Sequence, residues 1–513
     1  MERKNSSFTI FAMITATLFA KALGMVRGMA MAWMLGDSAE AVAFAAASKI
    51  PGAIFDILFS AAILGCFIPA YNKAREESEG DAYGYSCAFF GTVIAVCTLI
   101  SALGVILAPQ IIAVTAPKIS PDAAALSASL LRIIFPMMIF TAGAYTLTGI
   151  LQSIGKFILP AAISAVSNIF IIAYLLVSRD GFSVYTLAWV YVISWFLQFL
   201  TLAIPLTARK MMPLPKPDFK NPYIKSSVGA APQIIAGSLL APASVLIAAF
   251  FSSFVSDATF VAYDYASGIF IIVSGIAVYG VGNYVFPSLS RLFARDDADG
   301  FQKALYRALL SIMMIVIPVF CAVFTLSYEG VALLYLRGSF SEELAVTCGK
   351  ALCLLSAAMP ACAVSEILYR AFYASGKAHI PMYASLCAVA SSVICNIAFL
   401  SSGGGLYGIA LSYTAAQWIY AAFLLISAKR NFPGFWCKTE AFRMVKLCFC
   451  GTICFAAMQI IREFVPKFDF STQSFELLLK ITIVFVPATV IYLLCLYTMG
   501  FLRPKNKKRG DRS

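Results

Sequence analysis

The sequence predicts an all-α integral membrane protein, with fourteen transmembrane helices arranged as two pseudo-symmetric six-helix lobes plus two C-terminal helices. Three observations carry this. The 513 residues are 61% apolar and only 12% charged, with a mean hydropathy of +0.86. Fourteen apolar runs are each long enough to span a bilayer, which takes about 20 residues. Two short sequence patterns recur about 220 residues apart. A soluble chain carries roughly twice the charge, so no water-exposed surface can be built from this material. Disorder is excluded because the segments are too apolar to stay solvated.

Taken in order, the predicted spans cover residues 10–35, 42–69, 85–108, 126–151, 158–177, 184–206 and 228–251, then 260–286, 308–326, 345–372, 380–400, 406–426, 442–461 and 477–501. The first is too long for a cleaved signal peptide and should remain as a membrane helix. Basic residues test the count, because a wrong number of crossings would scramble their alternation. On the N-terminal side lie Arg3 and Lys4, Lys73 and Arg75, Lys156, and basic clusters within 209–225, 291–307, 370–377, 429–446 and 503–512. The other side holds only Lys118, Arg179, Arg337, Arg462, Lys467 and Lys480. Such a bias places both termini in the cytoplasm. The net charge of +13 therefore reports topology and implies no nucleic-acid partner, and the basic tail serves as an anchor near anionic lipid.

Fourteen cysteines do not form a framework. They fall mostly inside apolar runs, no CxxC occurs, and the one histidine, His379, cannot complete a zinc or haem site. They are expected to be small buried apolar residues, and no metal or other cofactor is expected.

The internal repeat sets the architecture. Gly155-Lys156-Phe157-Ile158-Leu159-Pro160 opens the fifth span, and Gly376-Lys377-Ala378-His379-Ile380-Pro381 opens the eleventh. Pro69 in FIPAY closes the second span and Pro287 in VFPSL the eighth. Each element lies six helices from its counterpart. The expected divisions are an N-terminal lobe over 1–207, a cytoplasmic linker over 208–227, a C-terminal lobe over 228–428, the last two helices within 429–502 and a basic tail over 503–513. An even repeat keeps its orientation, so a pseudo-two-fold along the membrane normal puts the site between the halves, as in transporters.

Ionisable groups inside a membrane are costly and usually serve function. The first span carries Lys21 and Arg27, about 9 Å apart along a helix, so both can line one cavity if the helix kinks near Gly24. Lys49 in the second span adds a third cation. Such a site suits an anionic headgroup, and Arg can hold phosphate oxygens bidentately. These three are the expected headgroup-binding residues. Asp56, Arg132, Asp264 and Glu366 are candidate cavity or gating charges. The plainer alternatives are a structural role for Lys49 and Asp56, snorkelling to water from helix ends for Asp264 and Lys350, a place at the outer interface for Arg132, and a helix pair of Glu366 with Arg370 four residues on. His379 is expected in an exposed turn.

Several stretches resemble one family. Leu23-Gly24-Met25-Val26-Arg27, Lys49-Ile50-Pro51 and Phe67-Ile68-Pro69 are followed in order by LLRIIFP (130–136), the 155–160 turn, FPSLSRL (286–292), YLRGSF (335–340) and FYASGKAHIP (372–381). The chain resembles the MviN/MurJ lipid II flippases of the multidrug/oligosaccharidyl-lipid/polysaccharide exporter superfamily over nearly its whole length. That resemblance implies a bacterial cytoplasmic-membrane protein moving lipid II, undecaprenyl-pyrophosphoryl-MurNAc-pentapeptide-GlcNAc, outward for peptidoglycan synthesis, cell-wall biogenesis and cell shape. It also implies a V-shaped pair of lobes with alternating access and a groove for the lipid tail near the last two helices. Arg27 matches the arginine closing the family's LGxxR motif, Lys21 a frequent basic position, and Lys49 the basic residue before the second-helix proline. Three positions depart from the pattern: Gly28 replaces an acidic residue, Phe55 beside Asp56 replaces an arginine, and Ser267-Gly268 replace an Asp-Arg pair. The expected function is a flippase driven by alternating access, with the membrane potential as a source of work and wall-synthesis proteins as further partners. The alternatives are export of another polyprenyl-linked glycan or an amphipathic drug, and a non-transporting scaffold. No phosphate loop, metal site or activated nucleophile points to an enzyme.

Overall fold

A computed structural model describes residues 2–60, 63–179, 181–435, 438–466 and 474–502. Among them every regular element is helical. The first half contains α1 (Glu2–Leu35), α2 (Ala39–Phe55), α3 (Ile68–Glu77), α4 (Glu79–Ile106), α5 (Ala108–Thr115), α6 (Pro121–Ile134), α7 (Met137–Ser153), α8 (Ile158–Ala162), α9 (Ser164–Val177) and α10 (Val184–Thr207). The second contains α11 (Pro222–Gly237), α12 (Leu240–Ser253), α13 (Asp257–Ala294), α14 (Ala298–Thr325), α15 (Ser327–Tyr335), α16 (Glu342–Ser356), α17 (Met359–Ala374), α18 (His379–Ser401) and α19 (Gly405–Asn431). Two long helices follow, α20 (Lys438–Phe464) and α21 (Ser474–Thr498).

Among the described residues eleven helices are long and apolar enough to cross a membrane, and two bent pairs raise the number to thirteen. The seventh predicted span, 228–251, is instead broken at Ser238 and Leu239 into α11 and α12, and neither piece alone is long enough. Helix α11 also begins at Pro222, inside the stretch expected to be linker; Asn221 caps it by accepting from the Tyr223 N–H at 3.0 Å. The basic tail over 503–513 lies outside the described residues.

The repeat is visible in local geometry. The fourth and tenth predicted spans are each bent by 44°, between α6 and α7 and between α16 and α17. The turn after each bent pair is the same. Gly155 (φ +77°) and Gly376 (φ +71°) adopt the left-handed conformation that glycine tolerates. The next amides, of Lys156 and Lys377, close on Leu151 and Phe372 carbonyls, both at 2.8 Å.

Two proline expectations are corrected. Neither Pro69 nor Pro287 ends a helix: α3 runs from Ile68 through Pro69 to Glu77, and α13 is continuous through position 287. Before Pro69 the chain widens into π-helical turns at Asp56–Ser60 and Ile63–Phe67. Wide turns shift the hydrogen-bond ladder and so accommodate a residue that lacks an N–H.

Large apolar side chains such as Ile106, Val114, Ile204, Ile394 and Phe475 are exposed on helix faces, the surface lipid would solvate. Helices α20 and α21 form their own apolar cluster against α14, centred on Cys454, Met458, Val484 and Tyr492. The Tyr492 hydroxyl donates to the Met314 carbonyl at 3.0 Å, and Arg462 pairs at 2.7 Å with Glu329 of α15, whose side chain is 7% exposed. All described cysteines are free thiols.

Candidate substrate cavity between the halves

The α2 sequence AEAVAFAAASKIPGAIF is dominated by small residues, and their placement opens space. Residues Ala45, Ser48, Lys49, Gly52, Ala53 and Asp56 recur at three- and four-residue intervals, so they share one helix face. That face meets a matching stripe on α13, composed of Phe260, Tyr263, Asp264, Ser267, Phe270 and Ile271. Between them lies a cavity of about 670 Å³. Tyr145 of α7, Tyr191 and Trp195 of α10, Ser238 in the break before α12, Ala241, Ser244, Ala248 and Ser252 of α12, Leu355 and Tyr413 line the rest of the wall. Both halves therefore contribute, and aromatic rings and hydroxyls dominate the polar surface.

Three charged side chains line this cavity: Lys49, Asp56 and Asp264. Lys49 of the first half forms an ion pair with Asp264 of the second, their side chains 37% and 23% exposed. Asp56 is hydrogen-bonded to Ser60, one turn further along. Asp264, a candidate cavity charge whose plainer alternative was snorkelling from a helix end, points inward at the opposite half. A carboxylate in the membrane is most cheaply solvated by a cation, and Lys49 supplies it.

On the α1–α2 turn side of the cavity the two halves meet in a seam. Gly36 (φ +54°) packs so tightly on the 335–341 hairpin that a Cβ there would lie 1.9 Å from the Ser339 carbonyl oxygen. Gly338 (φ +62°) packs equally closely over Trp33. The Ser339 N–H donates to the Trp33 carbonyl at 3.0 Å, and the Ser341 hydroxyl to Asp37 at 2.6 Å. Nearby, the Tyr265 hydroxyl donates to the Gly36 carbonyl at 3.3 Å and the Ser120 N–H to the Asp257 carboxylate at 3.2 Å. On the opposite side, α11 rests on α3 and α4: Tyr85 and Ser227 share a hydrogen bond of 2.7 Å, and the Tyr223 hydroxyl donates to Glu77 at 2.5 Å.

The remaining expected site residues are elsewhere. Lys21 and Arg27 do not line the cavity. Helix α1 is one uninterrupted helix without a break at Gly24; Gly24 instead faces Asn168, whose amide donates to the Ala20 carbonyl at 3.1 Å. This packing against α9 fixes the helix alongside the cavity wall. Arg27 lies further along, next to Gly28, which faces the Tyr335 hydroxyl. Arg132 is exposed in a separate groove between α5 and α6, beside Pro109, Ala113 and Ala128. Glu366 is bound within its own helix, accepting from Arg370 at 2.5 Å and from the Tyr369 hydroxyl at 3.0 Å. Sequence reasoning did not identify the seam residues or the aromatic wall. The glycine in YLRGSF was the one available signal, since it marks a turn or a close approach.

Comparison with known proteins agrees with this architecture. The family model described as "Lipid II flippase MurJ" matches residues 31–499. A probable lipid II flippase MurJ of Buchnera aphidicola subsp. Schizaphis graminum is 28% identical over 412 residues, 79% of each chain. One from Bdellovibrio bacteriovorus is 25% identical over 442 residues, 84% of each. Among solved structures, a lipid II flippase MurJ in an inward closed conformation superposes with a TM-score of 0.78 at 21% identity, over 96% of this chain and 99% of that one. An inward-facing multidrug-resistance MATE transporter of the MOP superfamily gives 0.66 at 13% identity, over 83% and 98%, a likeness of fold. With the family model spanning nearly all of its membrane helices, the chain belongs to the lipid II flippase MurJ family.

Proposed function

We propose that this protein flips lipid II from the cytoplasmic to the outer leaflet of the bacterial cytoplasmic membrane by alternating access. The observation that carries the proposal, beside family membership, is the cavity formed jointly by the two halves, with Lys49 on its wall and a closed seam at one end. By the distribution of basic residues both termini are cytoplasmic, and that seam faces outward. The pyrophosphate meets Lys49, the sugars meet the tyrosines, tryptophan and serines of the wall, and the polyprenyl tail stays in lipid along α20 and α21. Lys21 and Arg27 of α1 attract the headgroup on its way. No cofactor enters. The membrane potential does work on the phosphate charges, at about 2.3 kcal/mol per charge per 100 mV.

The test is lipid II accessibility at the outer leaflet of cells depleted of their own flippase and supplied with this chain. Restored accessibility is expected; its absence despite normal insertion would reject the cargo. A second reading, export of another polyprenyl-linked glycan or an amphipathic drug, is favoured by one observation: two carboxylates and a single lysine line the cavity. Export of such a compound without lipid II rescue would establish it.

A further inference from the structure

We infer that Asp264 is a stand-in for the cargo's anion: in the closed state it neutralises Lys49, and an arriving phosphate takes Lys49 from it and thereby loosens the seam. The inference rests on the proposed function for the identity of the cargo and deepens it by assigning the event that couples binding to opening.

Geometry supports the exchange. Lys49 and Asp264 come from opposite halves, and both line the same cavity. Their ion pair is thus a bond between the halves at the place where a headgroup must lie. Lys49, 37% exposed on a largely apolar wall, carries its charge at least cost beside a counter-ion. When the cavity holds no anion, a carboxylate from the facing half supplies it. A phosphate oxygen competes for the same Nζ, and on its arrival Asp264 loses its partner.

Position then connects the exchange to the seam. The residue after Asp264 is Tyr265, whose hydroxyl donates to the Gly36 carbonyl. Gly36 is the residue packed against Ser339. A carboxylate without its cation favours hydration, and a shift of Asp264 toward water moves the adjacent Tyr265 and its bond to Gly36. Binding therefore makes the closed arrangement less favourable than the open one, which is the differential interaction that a ligand-driven switch requires.

Amide hydrogen exchange of the 335–341 hairpin in the full-length protein in nanodiscs reads the seam directly, because the Ser339 amide is bonded across it to Trp33. Farnesyl pyrophosphate should speed exchange there about threefold or more in the wild type, and uncharged farnesol should not. Asp264→Asn should show fast exchange without ligand. Lys49→Met should be equally fast and give no response to farnesyl pyrophosphate. The exchanged pair Lys49→Asp with Asp264→Lys should restore slow basal exchange, and it keeps the test decisive if a single variant inserts poorly. Inorganic pyrophosphate separates the sources of the anion: a response to it as well shows that the phosphates suffice, and a response only to the prenylated form shows that the tail must deliver them. Wild-type exchange rates in Asp264→Asn, fast basal exchange in the exchanged pair, or an undiminished response in Lys49→Met would overturn the inference. Lipid II transport without any seam response would reject the exchange alone; a seam response without lipid II transport would reject only the cargo.

Discussion

Substituting Gly36 by alanine should bias the protein away from the closed state. Its φ of +54° costs an L-residue about 1–2 kcal/mol, a penalty common to both states wherever the turn keeps its shape. The second penalty belongs to closure alone. The added Cβ would sit 1.9 Å from the Ser339 carbonyl oxygen, against a floor of 3.0 Å for real contacts, so the seam must part by more than an ångström. The Ser339–Trp33 hydrogen bond, now 3.0 Å, and the Asp37–Ser341 bond, now 2.6 Å, are then lost. One neutral and one charge-assisted bond contribute together about 2–4 kcal/mol, or roughly a 30- to 700-fold shift toward the open state at about 1.4 kcal/mol per tenfold. Ser48→Cys on the cavity wall reports it through modification by a membrane-impermeant maleimide added outside, resolved by peptide mass spectrometry so that native cysteines do not interfere. Gly376→Ala is the control, with φ +71° but nothing within 4 Å of its Cβ. Labelling should rise at least about tenfold with Gly36→Ala and stay at background with Gly376→Ala. Equal labelling in all three backgrounds would refute the claim that Gly36 holds the seam.

Four further substitutions test other contacts. Removing Arg462 should destabilise more than neutralising Glu329: Arg462→Ala leaves a buried carboxylate without its cation, at about 3 kcal/mol, whereas Glu329→Gln leaves an arginine that is 38% exposed and reachable by water. Thermal unfolding in detergent should rank them in that order, and the reverse order would contradict the burial asymmetry. Gly104→Ala would push a Cβ to 2.3 Å from the buried Phe135 ring and should cost about 1–3 kcal/mol, visible as a lower unfolding midpoint; an unchanged midpoint would show that the bend at Phe135 yields freely. Asp56→Asn removes a negative charge from the cavity wall and should tighten binding of a prenyl pyrophosphate severalfold in calorimetry, since like charges repel across a low-dielectric space. Unchanged or weaker binding would refute this repulsion.

The membrane helices were legible because the bilayer imposes a length and a polarity that composition alone reveals. So was the repeat, since Gly155 and Gly376 each occupy a backbone conformation that glycine adopts at little cost. Breaks inside spans were not. LLRIIFP reads as one apolar run, yet the chain bends after Phe135, where Pro136 lacks an N–H and the Ser101 hydroxyl takes the Phe135 carbonyl at 3.2 Å. The break between α11 and α12 likewise depends on a distant group, the Ser385 hydroxyl, which accepts from the Leu240 amide at 3.0 Å. The candidate site was half legible. Lys49 and Asp56 share a face at helical spacing, which sequence shows; the partner of Lys49 lies on another helix in the other half, which no local pattern shows. Arg27 and Lys21 drew attention as intramembrane cations, but the cost of a buried charge identifies only that it must be solvated and leaves open which cavity does so.

The two seams explain why such a protein can move at all. Within each half, helices are locked by buried apolar packing that would cost far too much to undo in every cycle. Across the halves, the seam at the α1–α2 turn includes two close glycine contacts, four hydrogen bonds and the Lys49–Asp264 pair. The seam at α11 includes the Tyr85–Ser227 and Tyr223–Glu77 bonds. Each such bond contributes about 1 kcal/mol net, because water replaces it when the seam opens. Two closures of this kind differ by amounts that a ligand's differential affinity can reverse. An apolar seam of equal area would bind more strongly and lack this reversibility. Glycine serves the same end: it lets backbones approach closely enough to exclude water without adding apolar surface that would hold the halves shut.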